Sequence, residues 1–200
     1  MNPVNHYIKQ SWLLLVSALI FGCTLAGFEA AWSEDIAKNE QAKFVSKAQI
    51  LLPDAAGFET IDTLNIQTPK GIVATEIKRA TDENGNHVGW AFICEGAGFA
   101  DKIKIVVAVD ATFETVAGFG VLFSNETPGF GTKIAENYYQ DQYKGIPAAP
   151  VTLSKSGDDK IIDSEIIAIT GATISSTAVV DIFNNFIPEI KKQLREKGTI

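Results

Sequence analysis

A stretch near the start of the chain carries no charge, and it limits what the chain can become more than any other feature. Between Lys9 and Glu29 there is no ionisable acid or base, and residues 12–21 read Trp-Leu-Leu-Leu-Val-Ser-Ala-Leu-Ile-Phe. Nineteen residues separate those two charges. At about 1.5 Å per residue they reach roughly 28 Å as a helix, close to the hydrocarbon thickness of a bilayer. The expected organisation is a short cytoplasmic segment over 1–10, a transmembrane anchor over 11–30 and one extracytoplasmic domain over 33–200. Lys9 and the amino terminus flank one end, while Glu29, Glu34 and Asp35 flank the other, so the positive-inside rule places the bulk of the chain outside the cytoplasm. Two alternatives compete with a retained helix. A cleaved signal peptide wants small residues at −3 and −1 of the cut, and Gly27-Phe28-Glu29-Ala30-Ala31 has no clean Ala-x-Ala. A lipoprotein would carry lipid on Cys23, but bulky Phe21 stands where a small or aliphatic residue is usual.

The remaining length suits one domain of ordinary size. Composition is that of a globular protein, 46% hydrophobic and 20% charged, and the net charge of −7 speaks against nucleic acid, which needs clustered cations. The densest cations, Lys191, Lys192, Arg195 and Lys197, close a terminal helix, where they complement its dipole. Cys23 and Cys94 lie in unlike surroundings and form no disulfide framework or metal-binding spacing. His6 and His87 lack a catalytic partner in the pattern. Neither a catalytic residue nor a metal site is expected.

Residues 33–52 fit an amphipathic helix only in their second half, and Pro53 stops it. Residues 71–80 and 87–95 read as strands of a hairpin about Asn84-Gly85, which supplies the positive φ angles of a tight turn. Residues 102–109 and 115–123 read as a second antiparallel pair. Residues 132–143 look helical, while 151–154 and 165–169 look extended. A final helix begins near Thr173, with Val179, Ile182, Phe183, Phe186, Ile190 and Leu194 on one face and Pro188 expected to kink or restart it. Strands and helices are segregated, so the expected class is α+β, an antiparallel sheet with flanking helices.

Two segments exceed what packing requires. In 124–134, glycines flank an aromatic after Pro128, which gives either a loop whose backbone lies close to a ligand or an ordinary surface turn. In 169–177, five hydroxyls, one glycine and one alanine mark the passage from strand to helix. Free amides at a helix start make a phosphate site; a single capping hydroxyl is the plainer alternative.

Thr170-Gly171-Ala172-Thr173, followed by Ile174-Ser175-Ser176, resembles the flavinylation motif of the FMN-binding subunits of the Rnf and sodium-pumping NADH:quinone oxidoreductase complexes. Glu126-Thr127-Pro128-Gly129-Phe130-Gly131 is similar to that family's second signature, with Phe130 in place of Leu. The resemblance spans essentially the whole chain, and the length is closer to the Rnf G type than to the longer C type of the sodium pump. It implies FMN joined to Thr173 through a phosphoester and placed there by a flavin transferase. Thr170, Gly171 and Ala172 would lie near the phosphate, Ser175 and Ser176 would donate to it, and Glu126, Thr127, Gly129 and Phe130 would face the ring or ribityl chain. It also implies an electron-relay subunit without turnover of its own, in the bacterial cytoplasmic membrane, beside iron-sulfur and flavin subunits of an ion-translocating complex. One departure is that the family's Asp three residues before the first Thr is here Ile167. A dinucleotide fingerprint is absent, since Gly96-Ala97-Gly98 lacks a third glycine and a following helix. No hydrolase motif occurs either. A membrane-anchored subunit of another flavin-based reductase that holds FMN without the ester, or a non-redox module for a phosphorylated ligand, are the remaining readings.

Overall fold

The computed structural model describes residues 3–200, with side chains described from Ser11 onward; the expected segment 1–10, with His6 and Lys9, lies outside the described side chains. The chain divides into two compact units, Met1–Ala42 and Lys43–Ile200. Helix α1 (Pro3–Leu51) makes up the first and supplies the opening residues of the second. It does not pause after the apolar stretch, as the sequence pattern had implied. Residues 28–52 contain neither Gly nor Pro, and their Ala, Glu, Lys and Gln favour a helix without marking a face. A Glu34–Lys38 pair at 2.8 Å adds support one turn apart. Over Ser11–Leu51 the helix is long and apolar enough to cross a membrane.

The second unit is built on five antiparallel strands, β1 (Gly57–Thr68), β2 (Gly71–Thr81), β3 (His87–Ala97), β4 (Lys102–Asp110) and β5 (Val116–Ser124), paired in chain order. Sequence periodicity missed β1 because it is an edge strand with a register shift between Thr60 and Asp62, which scrambles its alternation. In the β2–β3 turn only Gly85 has positive φ, at 81°; Asn84 does not share it, and Asp82 instead accepts the amides of Asn84 and Asn86 at 2.9 and 2.8 Å.

Strand β4 is apolar from Ile105 to Val109 because both faces of the sheet are covered there. Val107 and Ile105 point into the main core with Phe92 and Phe119, whereas Val106 packs with Phe44, Ala48 and Ala91 from the other side. The main core is closed by helix α3 (Thr173–Glu196), through Val179, Ile182, Phe183, Phe186, Ile187, Ile190 and Leu194. The helix runs unbroken through Pro188. A proline there costs about 3 kcal/mol, which the buried Ile187 and Ile190 beside it offset through packing.

Between β5 and α3 the expected single helix over 132–143 is replaced by three short pieces: 3₁₀ turns at Gly131–Ala135 and Asp141–Tyr143, with one helical turn, α2 (Asn137–Gln140), between them. The buried anchors Ile134, Tyr139 and Tyr143 are five and four residues apart. One straight helix cannot point all three inward, and the chain breaks at Glu136, which is extended. Strands β6 (Thr152–Ser154) and β7 (Glu165–Ile167) then pair in parallel as a separate small ribbon.

Candidate functional site

The two unusual segments of the sequence meet. Thr127, Phe130 and Gly131 from the loop after β5, and Gly171, Ala172, Thr173, Ile174 and Ser175 from the start of α3, line one cleft of about 540 Å³. Phe99, from the turn between β3 and β4, completes the wall.

The start of α3 is bare. Its N-cap is Ala172, and no side chain bonds back to the first turn, so the simple capping explanation of the hydroxyls fails. The first backbone bond of the helix is Ser176 N–H to the Ala172 carbonyl, at 3.0 Å. The amides of Thr173, Ile174 and Ser175 therefore have no helical acceptor, and they sit at the positive end of the dipole. The lining contains all three of these residues.

Two glycines allow the approach. Gly171 has φ of 81°, and a β-carbon there would stand 2.9 Å from Phe130 Cδ1. A β-carbon on Gly131 would meet Ser175 Oγ at 2.6 Å and Glu126 Cβ at 2.7 Å. Any side chain at either position would force loop and helix apart.

The other expected site residues have different placements. Glu126 is only 3% exposed and does not line the cleft. Its Oε1 accepts the amides of Phe99 and Ala100 at 2.9 and 3.0 Å, and its Oε2 accepts the hydroxyl of Ser175. The carboxylate of Glu126, expected to face the ring or ribityl chain, is thus engaged inside the protein. Ser176 is engaged inside the protein too. It is fully buried, donating to the Ala172 carbonyl at 3.1 Å and accepting the Ile169 amide at 3.0 Å, so its hydroxyl fastens the strand-to-helix corner and has no proton left for a ligand. Ser175 lines the cleft with its hydroxyl already given to Glu126. Thr170 and Gly129 are exposed and lie outside the lining. Ile167, at the departure from the family pattern, packs its Cδ1 above Gly157, and its backbone is held on both sides by Gln142, at 2.7 and 3.3 Å.

Beneath the site an aromatic cluster gives a rigid floor. Tyr139 and Tyr143 share a hydroxyl contact at 3.1 Å, and Tyr139 also donates to the Ser176 carbonyl at 3.3 Å. Burial pushes the Tyr139 hydroxyl up to about 12, so it stays a neutral donor at physiological pH. Phe119 and Phe183 pack edge-on at 5.6 Å beside them.

Sequence reasoning missed Phe99 and Ile174 as walls. The available signal for Phe99 was an aromatic placed in a four-residue turn between strands, where nothing local requires one.

Bare amides at a helix start, one threonine hydroxyl beside them and apolar walls form a donor set suited to the phosphate end and the flat body of a flavin nucleotide. A family model described as "FMN-binding domain" matches residues 98–187, which include every residue of this cleft. Fold and cleft define a domain of the FMN-binding class. The chain is 32% identical over 154 residues to the G component of the ion-translocating oxidoreductase complex of Methanosarcina acetivorans, covering 77% of each chain. It is 30% identical over 189 residues to the G component of the Na(+)-translocating ferredoxin:NAD(+) oxidoreductase complex of Acetobacterium woodii, covering 88% of this chain and 87% of that one. It belongs to this family of G components of ion-translocating oxidoreductase complexes. Among solved structures, Shewanella oneidensis NqrC shares the fold at 20% identity and a TM-score of 0.55, over 72% of this chain and 73% of that one. The C component of the Parabacteroides distasonis Na(+)-translocating NADH-quinone reductase shares it at 18% identity and a TM-score of 0.55, over 77% and 94%.

Proposed function

We propose that this chain is a membrane-anchored electron-relay subunit that carries FMN esterified to Thr173, within an ion-translocating oxidoreductase complex. The observation that carries the reading is the meeting of Thr173, the uncapped amides of α3 and the loop residues Thr127 and Phe130 in one cleft. Bound there, FMN supplies one- and two-electron chemistry at its isoalloxazine ring.

The chain's own residues divide the work of holding it. The Thr173 hydroxyl is the point of attachment, installed by a flavin transferase. The amides of Thr173, Ile174 and Ser175 and the helix dipole stabilise the phosphate charge. Gly171 and Ala172 keep the approach open. Phe130 and Ile174, 54% and 58% exposed, provide apolar surface for the rest of the group. Turnover belongs to the assembled complex, in which this chain acts as a relay. The apolar part of α1 anchors the chain in the cytoplasmic membrane, with the second unit on the extracytoplasmic side. There a covalent bond prevents loss of the cofactor, and neighbouring iron-sulfur and flavin subunits exchange electrons with it.

Intact-mass measurement of the full chain, co-produced with a flavin transferase, tests this. One added FMN moiety, absent in Thr173→Ala, is expected. A wild-type chain of bare mass that releases flavin on denaturation would replace the ester with non-covalent holding. A chain of bare mass that releases none would overturn the flavin reading.

A further inference from the structure

We propose that Phe99 is the aromatic wall against which the flavin ring rests, and that Glu126 is the positioning residue that holds it there. This rests on the proposal that the cleft takes FMN, and goes beyond it by naming a contact that neither sequence motif contains.

Phe99 is 62% exposed at the tip of a turn. A large aromatic left open to water at a pinned position is unfavourable unless something covers it. The turn is pinned: Gly98 N–H donates to the Asp101 carbonyl at 2.7 Å, and Asn125 Nδ2 donates to Asp101 Oδ2 at 3.0 Å. Phe99 also lies on the boundary of two clefts. It lines the one that holds Thr173, and a neighbouring one of about 570 Å³ that continues along α3 past Ala178, Asp181 and Ile182. A flat group tethered at Thr173 and extending from the helix start thus has Phe99 as the aromatic surface on the β3–β4 side, in a cleft whose lining also includes Phe130 from the loop.

Glu126 ties this aromatic to the attachment point. One carboxylate oxygen takes the amides of Phe99 and Ala100, and the other takes the hydroxyl of Ser175, the third residue of the helix that Thr173 begins. Three segments far apart in the chain therefore share one buried carboxylate. The placement of Phe99 relative to Thr173 is set by that carboxylate rather than by contact between the two residues. The acid is a bracket for the wall, and its role requires two hydrogen-bonding positions, one toward the Phe99 turn and one toward Ser175, rather than its charge.

The test uses the full-length chain in detergent, co-produced with a flavin transferase, with intact mass recording the attached flavin and iodide quenching recording how open the ring is. Phe99→Ala is expected to keep the flavin mass and raise the quenching constant about twofold, as one face of the ring is uncovered; Phe99→Tyr is expected to restore the wild-type value. Glu126→Ala is expected to raise it likewise. Glu126→Gln is expected to stay near wild type, because its amide oxygen still accepts two N–H groups while its nitrogen meets Ser175. The double variant Phe99→Ala/Glu126→Ala should go no further than Phe99→Ala alone, since both remove the same wall. Unchanged iodide access in flavin-bearing Phe99→Ala overturns this proposal and leaves the proposed function standing; so does a variant in which only electron exchange with partner subunits slows, which would make Phe99 a docking residue. Absence of flavin from the wild-type chain overturns the proposed function itself.

Discussion

Phe130 lies directly over the α-carbon of Gly171, so close that a β-carbon on Gly171 would stand 2.9 Å from Phe130 Cδ1 and 3.2 Å from Cε1. The glycine of one sequence segment is thus the seat for the aromatic of the other. Neither makes structural sense alone.

This contact predicts the effect of adding one methyl group. Gly171→Ala forces an L residue to hold φ of 81° and pushes into Phe130. Gly129→Ala faces a similar φ of 75° with nothing within 4 Å. Both should lose about 1–2 kcal/mol from the left-handed backbone alone, measured as a fall in the urea midpoint at constant slope. Only Gly171→Ala should also lose attached flavin, read by intact mass. Equal flavin content in the two variants would mean that the contact with Phe130 does not shape the site.

Thr173 is expected to matter to the cofactor and hardly at all to the fold. Its side chain is half-buried and its hydroxyl bonds to no other described group, while its carbonyl accepts the Thr177 hydroxyl at 2.9 Å. Without flavin, Thr173→Ala should change stability by no more than about 0.5 kcal/mol. With a transferase present, Thr173→Ser should still gain the flavin mass. A large loss of stability in flavin-free Thr173→Ala would make this residue a scaffold element instead.

Ser176 should behave in the opposite way. Removing its hydroxyl leaves the buried Ile169 amide without an acceptor, which costs about 1–3 kcal/mol. Ser176→Ala should therefore lower the unfolding midpoint clearly, while the fraction that remains folded still carries flavin on Thr173. Loss of flavin at unchanged stability would return Ser176 to the ligand.

Acid should weaken the turn after β4. Asp110 is pushed upward by burial, but the Thr112 hydroxyl and the amides of Thr115 and Glu114 outweigh that and hold it below the usual carboxylate range. A carboxylate depressed in the folded state contributes stability that is present above the unfolded value of about 3.9 and is lost as pH falls through the folded value. Wild type should be more stable than Asp110→Asn at pH 7, with the gap closing below about pH 4 as the carboxylate protonates. Parallel stability curves for the two proteins from neutral to acidic pH would contradict this.

Much of the architecture was readable where one physical constraint dominated. The Asn84-Gly85 turn between β2 and β3, an apolar run in β4 and the helical face from Val179 to Leu194 each answer to a single local or packing requirement. The pattern failed where two constraints overlapped. Strand β1 lies at the edge and shifts register at Asp62, so its polarity carries no clean period. Residues 132–143 obey three tertiary anchors rather than a helical face. In the site, sequence placed the two segments together but could not rank their polar groups. Glu126, Ser175 and Ser176 look as ligand-ready as Thr173 in one dimension, and only the fold reveals that the first three are spent on one another and on the backbone.

The five strands neighbour one another in the order in which they occur, whereas α3 follows all of them and closes the sheet last. Such a meander can zip up from nearby partners as the polypeptide emerges. Five of the nine residues lining the cleft, however, lie at the start of that late helix or in the two positions just before it. An enzyme that modifies Thr173 by recognising the assembled groove would act only on chains that have already docked their final element, so maturation would double as an inspection of folding.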